Sequence, residues 1–326
     1  MKRVTWVLAV LFGLAFLGST LLHASLVLAS RKALADIVLN SSEDARGALY
    51  HVAVVLPDTE DSFFDGLAEG MIESAAAAGA ALHFMRYPES DPERADRHVE
   101  TAMRAGLDGL VIYASPGRDW VPLAERASRE GLPFVPLGRD PPSGGLDGFI
   151  GASTLMLGLE AGKIIGQRLG ASARVGVLLP PEGRSGYADE PLYRGVAASL
   201  SAYGSSLVVA AQRAGRGVLS GEEAASSMLR SDPSINAIVC TSSADTVGAA
   251  QAVIDMNRVG KVLIVGADET PDIARYLERG VLAASLVVDS RWMGGQAMAA
   301  FSRIRAGGRP GDAVEAGFSA RQGARP

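Results

Sequence analysis

Asp108-Gly109-Leu110-Val111-Ile112-Tyr113 and, after a helix-length stretch, Pro133-Phe134-Val135-Pro136-Leu137-Gly138-Arg139-Asp140 form one strand–helix–strand unit. The plan returns later as Asn236-Ala237-Ile238-Val239-Cys240 and Val262-Leu263-Ile264-Val265-Gly266-Ala267-Asp268, again separated by a helix-length stretch. Asp108 to Arg139 spans 31 residues and Asn236 to Asp268 spans 32. Short apolar runs rich in β-branched residues, alternating with helical segments, are the pattern of a parallel sheet covered by helices. Two units of one plan predict two α/β halves. Ligands of open α/β sheets sit beyond the carboxyl ends of the strands, so Arg139 and Asp268 are expected to face one groove between the halves.

Working outward, further strands are expected at 51–56, 174–179 and 283–288, beside those at 108–113, 133–137, 237–240 and 262–265. Helices are expected at 63–78, 93–105, 155–168, 190–202, 244–256 and 292–304. Gly79, Gly106, Gly131, Gly170 and Gly280 fall where helices end, a position that favours glycine.

The 326 residues are too many for one small core. Apolar residues make up 48%, charged residues 21%, and the net charge of −5 is spread along the chain. No basic stripe is present to neutralise a phosphate backbone, which argues against nucleic acid as a partner. After Met1-Lys2-Arg3, residues 4–30 hold no Asp, Glu, Lys or Arg. A signal-peptide core needs roughly 7–15 apolar residues and a membrane helix about 20, so residues 1–31 read as a retained N-terminal membrane helix. A cleaved signal peptide ending at Ala33-Leu34-Ala35 is the alternative, and 32–49 reads as a linker.

Inventory argues against an enzyme. Gly158 to Ile164 lacks the spacing and hydroxyl of a phosphate loop. Gly183-Arg184-Ser185-Gly186 misses a nucleophile elbow by a residue. The four histidines, His23, His51, His83 and His98, have no metal-ligand spacing. No catalytic residue, metal or cofactor is expected. Cys240, the single cysteine, reads as a small buried residue.

An ordered series of motifs resembles the ribose-binding type of periplasmic binding protein. It runs from Phe63-Phe64-Asp65-Gly66 through Gly131-Leu132-Pro133, Gly158 with Ala161-Gly162, Val265-Gly266-Ala267-Asp268 and Arg279-Gly280 to Met293-Gly294, and covers about residues 50–305. The resemblance implies two Rossmann-like lobes joined by a three-crossing hinge, placed near Ser153, Val288 and Gly311. The N-terminal lobe would then be 50–153 plus 289–311, and the C-terminal lobe 154–288 plus 312–326. It further implies a monomer that closes around a small sugar, on the periplasmic side of a membrane, for the permease of an ABC-type importer.

Carried over residue by residue, the resemblance puts Phe63 and Phe64 against a sugar ring, Arg139 on its hydroxyls and Asp268 as an acceptor from the second lobe. It adds Asp61, Ser115, Tyr187, Ser242, Ser243 and Asp289 to the ligand-facing set. The pattern is incomplete. Ser242-Ser243 stands where sugar binders often carry Asn-Asp, Leu192 replaces an arginine, Val288 a glutamine, and Ser153-Thr154 a paired Asp-Asn. These departures point to a less hydroxylated or modified sugar, or to a different small polar molecule. They keep two alternatives open: a membrane-tethered partner of a signalling receptor, and a ligand-free interaction module of the same fold. A repressor of this fold needs an N-terminal helix-turn-helix, and here that place is apolar.

Overall fold

The computed structural model describes residues 49–324, apart from 60, 89–90, 92, 116–117, 142–144 and 182–185. The expected membrane helix therefore lies outside the described residues. No helix among the described residues is long and apolar enough to cross a membrane.

The chain opens with β1 (Tyr50–Asp58), α1 (Ser62–Ala75), β2 (Ala80–Pro88), α2 (Glu93–Arg104), β3 (Gly109–Tyr113), α3 (Val121–Arg129), β4 (Phe134–Gly138) and β5 (Ile150–Gly151). β1 and β3 are buried along nearly their whole length rather than on alternate residues, as in parallel strands covered on both faces. A second series follows: α4 (Thr154–Leu169), β6 (Arg174–Leu179), α5 (Pro191–Leu200), β7 (Leu207–Arg213), α6 (Val218–Ser231), β8 (Ala237–Val239), α7 (Ser243–Asp255), β9 (Leu263–Ala267), α8 (Pro271–Glu278) and β10 (Ala284–Val288). The chain closes with α9 (Ser290–Arg305), β11 (Val314–Glu315) and β12 (Phe318–Gln322).

These strands form two six-stranded sheets, ordered β11-β5-β4-β3-β1-β2 and β12-β10-β9-β8-β6-β7. All pairings are parallel except β10 with β12. Each sheet carries one lobe. α9 returns to the first lobe, where a side chain on Gly70 of α1 would overlap the carbonyl of Arg291. Its Phe301 takes the space that a side chain on Gly109, at the start of β3, would fill, and is fully buried. Burying a phenylalanine this way contributes about 1.5–3 kcal/mol.

The chain crosses between the sheets at 152–153, at 289 and at 316–317. The last crossing corrects the expectation near Gly311. Val314 donates to the Phe149 carbonyl at 2.8 Å and Ala316 to that of Gly151 at 2.6 Å. Residues 314–315 thus satisfy the edge of the first sheet before the chain leaves it, and Gly311, at φ 88°, only turns the chain toward that edge.

Candidate functional site

The groove between the lobes is framed by strand ends and by the first turns of α1, α4, α7 and α9. Side chains cap these helices at their exposed backbone N–H groups. Asp61 accepts from Phe63 N at 3.1 Å, Ser242 from Asp245 N at 3.1 Å and Asp289 from Trp292 N at 3.0 Å. Three of the residues read from the sequence as ligand-facing therefore also hold helix starts.

Arg139, directly after β4, lies at the centre. Its Nη2 donates to Asp61 Oδ2 at 3.0 Å within its own lobe and to Asp268 Oδ2 at 2.9 Å in the other. The guanidinium carbon sits 4.2 Å from the centre of the Phe63 ring, an arrangement that favours a cation. Ser243 Oγ, at the start of α7, donates to Asp61 Oδ1 at 3.3 Å and forms a second link between the lobes. Asp268 adopts the left-handed backbone region, at φ 62°. Its N–H is held by the Leu286 carbonyl at 2.9 Å and its carbonyl by Ser285 Oγ at 2.6 Å. The neighbouring strand β10 thus fixes the unusual turn that aims its carboxylate at Arg139.

Electrostatics follow from two carboxylates sharing one cation in a buried place. Burial pushes the Asp268 carboxyl up to about 7; Arg139 pulls it down and the nearby Asp61 pushes it further up. Burial alone would lower the pKa of Arg139, but Asp268 and Asp61 more than reverse this, so it stays charged.

The remaining expectations divide. Phe64 is 4% exposed and meets Tyr113 edge-on at 4.8 Å, and Phe63, at 1%, is buried more deeply under the Arg139 guanidinium, so both rings pack in the core. Ser115 is half-buried at the end of β3, where its carbonyl receives Trp120 Nε1 at 3.0 Å, and no contact joins it to Arg139. Tyr187 is exposed, with its ring centre 5.7 Å from the Arg213 guanidinium. Asp140 does not pair with Arg139. It receives Thr154 N at 2.9 Å and the Thr154 hydroxyl, and so ties the first crossing to the first lobe. Burial raises the Asp140 carboxyl, and the Thr154 hydrogen bonds hold it back.

Sequence reasoning missed an ion pair between Glu190 and Arg213 at the mouth of the second lobe. It also missed Asp245, 4% exposed, which accepts from Thr241 Oγ1 at 2.8 Å. Arg213 follows Leu207-Val208-Val209 only after Ala210-Ala211-Gln212, so the signal that marked Arg139, a charge at the end of an apolar run, is diluted there, and Asp245, on a helix, does not carry it. Cys240 is buried, and burial pushes its thiol well above the usual range, as suits an inert packing residue. No group of His, Cys, Asp and Glu among the described residues is arranged to hold a metal ion.

Residues 52–309 match the family described as periplasmic binding protein domain. The chain belongs to this family. It is 25% identical over 243 residues to the D-allose-binding periplasmic protein of Escherichia coli, covering 72% of this chain and 78% of that protein. It is also 25% identical over 274 residues to the ribose import binding protein of Haemophilus influenzae, covering 84% and 91%. Among solved structures, an ABC transporter solute-binding protein from Burkholderia graminis in complex with D-arabinose superposes with a TM-score of 0.77. That pair is 20% identical, with 85% of this chain and 96% of the other covered, and shows the shared fold. These relatives are binding proteins, and the family reading made from the motifs is the one the matches return.

Proposed function

We propose that this periplasmic binding protein captures a small sugar between its lobes, on the outer side of a cytoplasmic membrane, and delivers it to the permease of an ABC-type importer. The observation that carries the reading is the reach of Arg139 from the first lobe to Asp268 of the second, over the face of Phe63. A ligand shifts an open–closed equilibrium only through contacts that differ between the two states. Groups that meet only when the lobes close supply such contacts. Arginine offers a fixed planar fork of donors to ring and hydroxyl oxygens, Asp268 and Asp61 accept from hydroxyls, and the buried Phe63 ring backs the Arg139 guanidinium.

The reading is tested by thermal unfolding of the full chain against D-allose, D-ribose, D-arabinose and a wider set of sugars and sugar alcohols. At a thousandfold excess over Kd, binding adds about 4 kcal/mol, a rise of several degrees at about 2–4 °C per kcal/mol. Asp268→Ala should then weaken the responding sugar at least tenfold, about 1.4 kcal/mol. A flat response from a cooperatively folded sample removes sugar capture. Unchanged uptake of the bound sugar in a strain lacking the gene removes the import role.

A further inference from the structure

We infer that the ligand has two parts, a first ring at Arg139 and a second, uncharged polyhydroxy unit held in a groove beside it. This rests on the sugar-capture reading and extends it to the size of the sugar. Toward the second and third crossings, the space between the lobes continues as an open groove of about 710 Å³. Phe63 and Asp268 line this groove as well as flanking Arg139, so the two places are contiguous. The volume lies within the range of about 300–1,000 Å³ typical of small-molecule sites, and Arg139 and Asp61 themselves are not part of its lining.

The lining suits a saccharide unit. The half-buried Phe318 gives apolar surface for the C–H face of a ring. Asp289 and Ser319 supply polar groups at the crossings.

Charge rules on the rest. The groove meets four carboxylates, Glu69, Asp268, Glu269 and Asp289, against two arginines. Both arginines are engaged: Arg291 with Glu73 and Arg321 with Glu269 at 3.5 Å. A phosphate or uronate would meet net negative charge there, whereas a neutral glycosyl unit meets acceptors and the Phe318 ring.

The test is calorimetry on the full chain with D-glucose, D-galactose, D-allose, D-ribose and D-arabinose, then with maltose, cellobiose, lactose and trehalose. We expect one disaccharide to bind at least tenfold tighter than either of its component monosaccharides. Ser319→Trp, at an exposed position of β12, should fill the groove. It should remove that tenfold gain and leave monosaccharide affinity within threefold. Ser319→Thr, which keeps the hydroxyl, should keep the gain, and an unfolding midpoint of ligand-free Ser319→Trp equal to that of the parent shows that the variant folds. Monosaccharides that bind as well as every disaccharide, or a Ser319→Trp variant that keeps the gain, overturn the two-part ligand and leave sugar capture standing. Binding of no saccharide overturns both.

Discussion

The two lobes repeat one sheet order, so that β4 of the first occupies the place of β9 in the second, yet they end those strands differently. After β4 comes Arg139, a cation with its own-lobe partner Asp61. After β9 comes Asp268, a carboxylate in a left-handed turn, buried and paired with the cation of the other lobe. The edges differ too. In the first lobe β5 and β11 are two-residue strands in parallel; in the second β10 and β12 pair antiparallel over five residues, and Asp268 is pinned to β10. Repetition supplies the frame. Departures from it, a short edge where the chain must cross and opposite charges at equivalent strand ends, supply a groove that can close.

The asymmetry of charge predicts the largest effect. Removing Arg139 strands Asp61 and Asp268 beside each other without a cation, whereas removing Asp268 leaves Arg139 paired with Asp61. Breaking a buried pair so that charge is left uncompensated costs about 3–5 kcal/mol. Arg139→Ala should therefore lower the midpoint of thermal unfolding, or open the lobes as read by an increased radius of gyration in solution scattering, far more than Asp268→Ala. Equal effects of the two substitutions would remove the claim that the single cation organises the closed groove.

The helix pairs give the next effect. Gly70 of α1 meets the Arg291 carbonyl of α9 in the first lobe, and Gly195 of α5 meets the Leu155 carbonyl of α4 in the second. A side chain at either place forces the helices apart, and overpacking costs about 1–3 kcal/mol. Gly70→Val should loosen the first lobe and Gly195→Val the second, which hydrogen exchange resolved along the chain would separate. Protection lost from both lobes in both variants would mean that the lobes do not unfold as distinct units.

How much of this was legible in the sequence depends on burial. Buried strands such as β1, β3, β4, β8 and β9 carry nearly continuous apolar runs and declared themselves. β2 and β7 did not, and they fail for one reason in both lobes: each is the outermost strand beside β1 or β6. Their residues are mostly half-buried, and sequences such as Ala80-Ala81-Leu82-His83-Phe84 carry no period of two. Arg139 and Asp268 were legible because a charge at the end of an apolar run has few other uses. Tyr187 and Ser115 took their places from resemblance, and the chain sets them apart from the Arg139 cluster. Asp61, Ser242 and Asp289 show a further limit, since a residue that caps a helix at the groove has the composition of a binding residue whether or not it touches a ligand.

The smallest effect is that of pH, and its sign follows from the shared cation. In an open, hydrated form Asp268 titrates near the ordinary carboxyl value of about 3.9; in the closed form burial beside Asp61 pushes it up to about 7. Between those values the closed form binds more protons than the open one, so raising the pH weakens closure across that window, and above it the loss is complete. The unfolding midpoint should fall by a few degrees from pH 5 to pH 8. Asp61→Asn removes the competing carboxylate and lets Arg139 serve Asp268 alone, which should bring Asp268 down and flatten that dependence. A midpoint that rises over this window, or an Asp61→Asn variant that keeps the full slope, would mean that Asp268 titrates independently of its neighbour and that the two lobes do not share one charge balance at the groove.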